Sequence, residues 1–260
     1  MNRQRFKNSS SPPPCGEVEK SEGFFGWGRR RFTVAPARNA ARFVGTLPLP
    51  TPARGRWAFA LALLFFAGTP TFAAAPVKIL MIGTSLTQGY GLPPGTEIPA
   101  VLEAKLKAAG VNASVINAGV SGDTSAGGLA RIDWSLADRP NAAIVELGSN
   151  DALRGIDPAQ TEKNLSAILA KLKAAHVPVL LLGMQAPRNL GPEYAAQFDP
   201  IYPKLAKQYG ALLYPFVLDG VALNAKLNQA DGIHPNPSGV KIVVERMFPD
   251  VMKLVAEVGR

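Results

Sequence analysis

The chain has 260 residues, enough for one or two domains, and carries 28 Lys/Arg against 19 Asp/Glu. The excess sits at one end: residues 1–75 hold 11 basic and 3 acidic side chains, whereas residues 76–260 hold 17 and 16. The near-neutral C-terminal part argues against nucleic acid as a partner, and the single cysteine, Cys15, leaves it without disulfides, thiolate chemistry or cysteine-based metal sites.

Residues 1–53 are rich in Pro, Ser, Gly and Arg, show no sustained period and read as a disordered extension or one added by a misassigned start, with Val44 as a downstream alternative. Residues 54–75 read as an export signal: Arg54 and Arg56, an apolar run from Trp57 to Gly68, a break at Thr69 and Pro70, and small residues up to Ala75. Cleavage is expected near Ala73, giving a periplasmic or secreted product. An uncleaved anchor is the alternative, but the run is well short of the roughly 20 residues that span a bilayer. No stable membrane insertion is expected after cleavage, and a monomer is expected.

Residues 76–260 form one domain in this reading. Apolar runs at 77–83, 113–119, 143–149 and 177–184, with a weaker one at 211–216, have the near-continuous Val/Ile/Leu character of strands buried on both faces. Segments of helical period lie between and after them, at 97–109, 125–137, 159–175, 194–208 and 237–257. That alternation predicts an α/β fold of three layers, α/β/α, around a parallel sheet with right-handed crossovers. Ligands in such sheets sit beyond the carboxyl ends of the strands. The stretches there are "GTSLT", "GVSGDT" and "GSND", each combining small residues with Ser, Asn or Asp.

A serine becomes a nucleophile when an adjacent base takes its proton. The chain has two histidines. His176 lies between a helix end and the fourth strand, at the opposite sheet edge, where capping a helix is its ordinary role. His234 lies in "QADGIHPNPSG" directly before the last helix, three residues after Asp231. The carboxylate of a D-x-x-H turn can hold the imidazole in the tautomer that faces a serine. Ser85, after the first strand, is the expected nucleophile, with Ser121 and Ser149 as rivals. Oxyanion donors are expected from the backbone of Ser85 and Gly122 and from the Asn150 amide. Leu86, Asp123, Leu153, Arg154 and Pro187 are expected to contact substrate. Aromatic residues around the site would favour sugars; the loop after the fourth strand offers just Tyr194 and Phe198, which favours acyl chains. No metal-binding or phosphate-loop motif is present, so neither metal nor cofactor is expected.

"GTSL" at 83–86, "GVSGDT" at 119–124, "GSND" at 148–151 and "DGIHP" at 231–235 resemble, in order and position, the four sequence blocks of the SGNH (GDSL) hydrolases. "AGVSGDTSAGGLARIDW" and "LGSNDALRG" are most similar to the periplasmic thioesterase/arylesterase/lysophospholipase branch. The resemblance implies a flavodoxin-like sheet of five parallel strands and an acyl-serine intermediate. It also implies Ser85, Asp231 and His234 as the triad and Gly122 and Asn150 as oxyanion donors. One departure stands out: the family usually has Asp before the nucleophile to brace its loop, and this chain has Thr84. The function expected is hydrolysis of carboxylic esters: aryl esters, esters of short or medium acyl chains, acyl thioesters or lysophospholipids. The alternatives are a carbohydrate O-acetylesterase and a non-catalytic periplasmic binding module.

Overall fold

Val77–Gly83 (β1) is apolar apart from the exposed Lys78 and lies fully buried from Ile79 to Gly83, as a central strand flanked on both sides must. The computed structural model describes residues 75–258. The expected N-terminal extension and export signal, with Ala73, lie outside the described residues. After β1 come a short helix Ser85–Gln88 (α1), helix Ile98–Ala108 (α2) and strand Ala113–Gly119 (β2). Helix Ser125–Leu136 (α3), strand Ala142–Glu146 (β3), short helix Ser149–Leu153 (α4) and helix Pro158–Ala174 (α5) follow. Strand Val179–Leu182 (β4), helices Pro192–Phe198 (α6) and Ile201–Tyr209 (α7), strand Leu212–Tyr214 (β5) and helix Pro237–Glu257 (α8) complete the order.

All four strand pairings are parallel, and the spatial order is β2-β1-β3-β4-β5. The chain moves from β1 to one side, then returns past it to β3. That reversal puts α2 and α8 together on one face of the sheet, while α3, α5 and α7 pack in sequence on the other. It also opens a crevice beyond the carboxyl ends of β1 and β3, where nothing crosses from strand to strand. The core is made by Ile79–Ile82, Ala142–Val145 and Leu180–Leu182 in the sheet and by Leu102, Leu106, Leu165, Ile168, Val243 and Met247 from the two helical layers.

The expected layers and all five strands are present, with the fourth and fifth strands shorter than the expected 177–184 and 211–216. Two further differences reshape the chain. The third strand ends at Glu146, and the chain turns through Leu147 and Gly148 into α4, so Ser149 and Asn150 begin a helix. The single helix expected at 194–208 is two, α6 and α7, because Pro200 has no N–H to continue α6 and instead starts α7. Side-chain caps fix the starts of α3, α5 and α8: Thr124 accepts from Gly127 N–H, Asp157 from Ala159 N–H, and Asn236 from the N–H groups of Ser238 and Gly239. Among the described residues no helix is long and apolar enough to cross a membrane.

Candidate active site

Ser85 is the first residue of α1, delivered there by the abrupt end of β1. Thr84 before it is extended and fully buried, and its hydroxyl accepts from Leu86 N–H, which makes the turn a capped helix start. The Ser85 hydroxyl points into the crevice, and His234 Nε2 lies 2.9 Å from its Oγ although the two residues are 149 apart in sequence. On the other side of the ring, Nδ1 lies 2.6 Å from Asp231 Oδ2. Asp231 Oδ1 accepts from the N–H groups of Ile233 (3.0 Å) and His234 (3.1 Å), so the loop folds around its own carboxylate. Desolvation pushes the Asp231 carboxyl up, but these hydrogen bonds outweigh it and hold the group down at about 2. An ionised carboxylate only accepts, so Nδ1 carries the ring proton and Nε2 is left to accept from the Ser85 hydroxyl.

Two loops converge on the same point. Gly122 sits at φ 78 in the loop after β2, a left-handed conformation that turns the chain towards the crevice. Asn150, in the first turn of α4, donates its side-chain amide to Asp123 O at 2.9 Å, tying α4 to that loop. The Ser85 N–H, at the start of α1, has no acceptor within that helix. Behind these groups Asp151 is buried and accepts from Ser125 N–H, the Ser125 hydroxyl and the Thr161 hydroxyl, which pins α4 to α3 and α5.

Ser85 and His234 open onto a cavity of about 500 Å³. Leu86, Leu153, Met184, Pro187, Phe216, Leu218 and Ile233 give it a largely apolar lining, with Ser121, Ser149, Asn150, Gln185 and Asn228 as its polar residues. The structure thus brings together Ser85, Gly122, Asn150, Asp231 and His234, and puts Leu86, Leu153 and Pro187 on the cavity wall. Asp123 and Arg154 do not line it. The Asp123 carboxylate accepts from Arg131 Nε at 2.7 Å, and an Arg154 guanidinium nitrogen donates to Gly122 O at 2.6 Å; both side chains hold the loop after β2. Tyr194 and Phe198 are also elsewhere. They stack on each other in α6, with the Tyr194 hydroxyl donating to Ile156 O and Phe198 fully buried. The rings at the cavity are Phe216 and Tyr90, whose centroid is 4.9 Å from that of His234. His176 lies two residues beyond α5 at the far edge, at φ 57, with its N–H donating to Lys173 O.

Three supporting residues escaped the sequence reading. Arg131 donates to Gly83 O (3.0 Å), Ala118 O (2.7 Å) and Asp123, clamping the ends of β1 and β2 to the loop that carries Gly122. Nothing in "LARIDW" sets this arginine apart from a surface one. Glu146 is buried at the end of β3 and accepts from Thr84 N–H, the Thr84 hydroxyl and the Thr87 hydroxyl. Burial pushes its carboxyl up to about 7 against the pull of those hydrogen bonds. As the one charged residue in an apolar run, Glu146 did carry a signal. Thr87 carried none.

Comparison with known proteins places these features. Residues 81–242 match the GDSL-like lipase/acylhydrolase family. The esterase TesA of Pseudomonas aeruginosa is 40% identical over 183 residues, covering 70% of this chain and 91% of that protein. The thioesterase 1/protease 1/lysophospholipase L1 of Escherichia coli K12 is 40% identical over 196 residues, 75% of this chain and 93% of that one. Among solved structures, AlinE4, an SGNH-hydrolase family esterase, is 48% identical with a TM-score of 0.60, covering 70% of this chain and 97% of that chain. The chain belongs to the GDSL-like lipase/acylhydrolase family and is an ester-cleaving serine hydrolase.

Proposed function

We propose that this protein is an exported esterase that hydrolyses carboxylic esters through an acyl-serine intermediate, with Ser85 as nucleophile. The observation that carries this reading is the 2.9 Å approach of His234 Nε2 to Ser85 Oγ at the floor of an apolar cavity. Ser85 Oγ attacks the carbonyl carbon and its proton passes to Nε2, while Asp231 keeps the ring oriented and offsets its new charge. The carbonyl oxygen becomes an anion that the N–H groups of Ser85 and Gly122 and the Asn150 amide stabilise; Asn150 exchanges its bond to Asp123 O for one to the oxyanion. Collapse breaks the bond to the leaving oxygen or sulfur, which takes the proton from Nε2. Water then repeats the sequence on the acyl-serine, giving the acid and restoring the hydroxyl.

The apolar walls suit short and medium acyl chains and aryl groups better than a sugar, which favours acyl esters over carbohydrate acetates. Thioesters and lysophospholipids enter as substrates through the name of the E. coli relative. Export rests on the pattern of residues 54–75. The assignment is tested with 4-nitrophenyl acetate and a fluorophosphonate probe. Ser85→Ala is expected to abolish both turnover and labelling, and Asn150→Ala to lower kcat by about 10²–10³ while the protein stays folded. Wild-type turnover in Ser85→Ala would refute it.

A further inference from the structure

We propose that Glu146 is a positioning residue for the nucleophile, holding the turn that carries Ser85 through Thr84 and Thr87. This rests on Ser85 being the nucleophile. Glu146 pairs in register with Gly83 across β1 and β3, so its side chain lies beside the point where β1 ends. The rest of β3 is Ala142, Ala143, Ile144 and Val145, all fully buried. One more apolar residue would complete the strand; a carboxyl there costs desolvation and needs a reason.

Its partners supply the reason. Among the described residues no Lys, Arg or His pairs with it. The donors are the Thr84 N–H at 2.9 Å, the Thr84 hydroxyl at 3.0 Å and the Thr87 hydroxyl at 2.9 Å. All come from one segment of four residues with Ser85 inside it, and both threonines are fully buried. The carboxylate therefore fixes the turn on either side of the nucleophile. The fit is tight: a Cβ on Gly83 would stand 2.0 Å from Thr87 Oγ1 and 2.7 Å from Glu146 Oε2. Thr84 Oγ1 in turn lies 3.5 Å from the Ser149 hydroxyl, at the start of the helix that carries Asn150. Where the family usually has Asp before the nucleophile, a second carboxyl here would face Glu146 at hydrogen-bond distance. Threonine instead donates to it, so the brace for the serine turn comes from β3.

The test measures kcat and KM on 4-nitrophenyl acetate, fluorophosphonate labelling, and thermal unfolding of each purified variant. Glu146→Met keeps the volume and removes the acceptor; kcat is expected to fall about 10–100-fold with KM within about twofold, the signature of a misplaced nucleophile. Glu146→Gln is expected to keep kcat within about threefold, because its amide oxygen accepts from Thr84 N–H and Thr87 while its amide nitrogen donates to Thr84 Oγ1. Thr84→Val combined with Thr87→Val removes both hydroxyls at constant shape and is expected to lower kcat about tenfold or more, again with KM unchanged. This pair decides the matter if Glu146→Met does not fold. Wild-type kcat in either folded variant, or a loss confined to KM, overturns the proposal alone. A wild-type protein inert to the fluorophosphonate overturns the nucleophile assignment, and this proposal with it.

Discussion

Replacing Glu146 by Gln should change how the stability of this protein depends on pH. In the folded state burial holds the Glu146 carboxyl up at about 7, against an ordinary value of 4.5. Below pH 4.5 the group is protonated in both states and contributes no pH dependence. Between 4.5 and about 7 the unfolded chain releases the proton and the folded protein keeps it, so rising pH favours unfolding. Above 7 both states are ionised and the loss is complete. At about 1.4 kcal/mol per unit, the difference of some 2.5 units amounts to about 3 kcal/mol. For a domain of this size 1 kcal/mol moves the unfolding midpoint by about 2–4 °C, so the wild type should lose about 6–12 °C relative to Glu146→Gln over that window. The measurement is Tm of both proteins by calorimetry or circular dichroism at half-unit steps from pH 4 to 8.5. Contributions from groups remote from Glu146 are common to both proteins and cancel in the difference. A Tm difference that stays constant from pH 4.5 to pH 8 would refute the account of Glu146 as a buried carboxyl without a cation.

Two further outcomes are expected. Arg131→Met removes the clamp on Gly83 O, Ala118 O and Asp123, so the nucleophile turn and the Gly122 loop drift apart; kcat on 4-nitrophenyl acetate should fall about 10–100-fold with little change in KM, and an unchanged kcat would show that the loops hold without it. Leu218→Trp fills part of the cavity and leaves Ser85 and His234 alone. Excluding two methylenes of a bound acyl chain costs about 1.6 kcal/mol, so the kcat/KM ratio of octanoyl to acetyl ester should fall about 15-fold, and a constant ratio would place the acyl chain elsewhere.

Much of this architecture was legible because a parallel sheet writes itself plainly. Strands covered on both faces are largely apolar, and the helices between them show one apolar face, so β1 and β2 could be bounded to the residue although Lys78 and Asn117 interrupt them. The polar segments beyond β1, β2 and β3 were legible for another reason: glycine beside Ser, Asn or Asp is ordinary turn chemistry once, but three such segments at one sheet edge mark a site. What the pattern could not convey was direction. Asp123 was expected to face substrate, but Arg131, eight residues on and nearly two turns inside α3, draws its carboxylate away. The cavity's rings were likewise misplaced. Phe216 reaches the cavity from beyond β5 and Tyr90 from the end of α1, whereas Tyr194 and Phe198 turn into the helical layer. Such choices depend on which neighbour a side chain meets across the fold, and that information is not local.

The compactness of the Asp231–His234 loop has a consequence for how this protein tolerates change. Its carboxylate and imidazole are assembled by a stretch of four residues, with backbone amides from the same stretch holding the acid in place. Only one alignment is therefore left for the remainder of the molecule to maintain: the offset between that preassembled unit and the serine. Substitutions that tilt the C-terminal helix as a body should dim the chemistry smoothly, whereas those within the four-residue unit should extinguish it. Variation in the walls can accumulate without touching either part, which leaves substrate choice free to wander while the reaction stays the same.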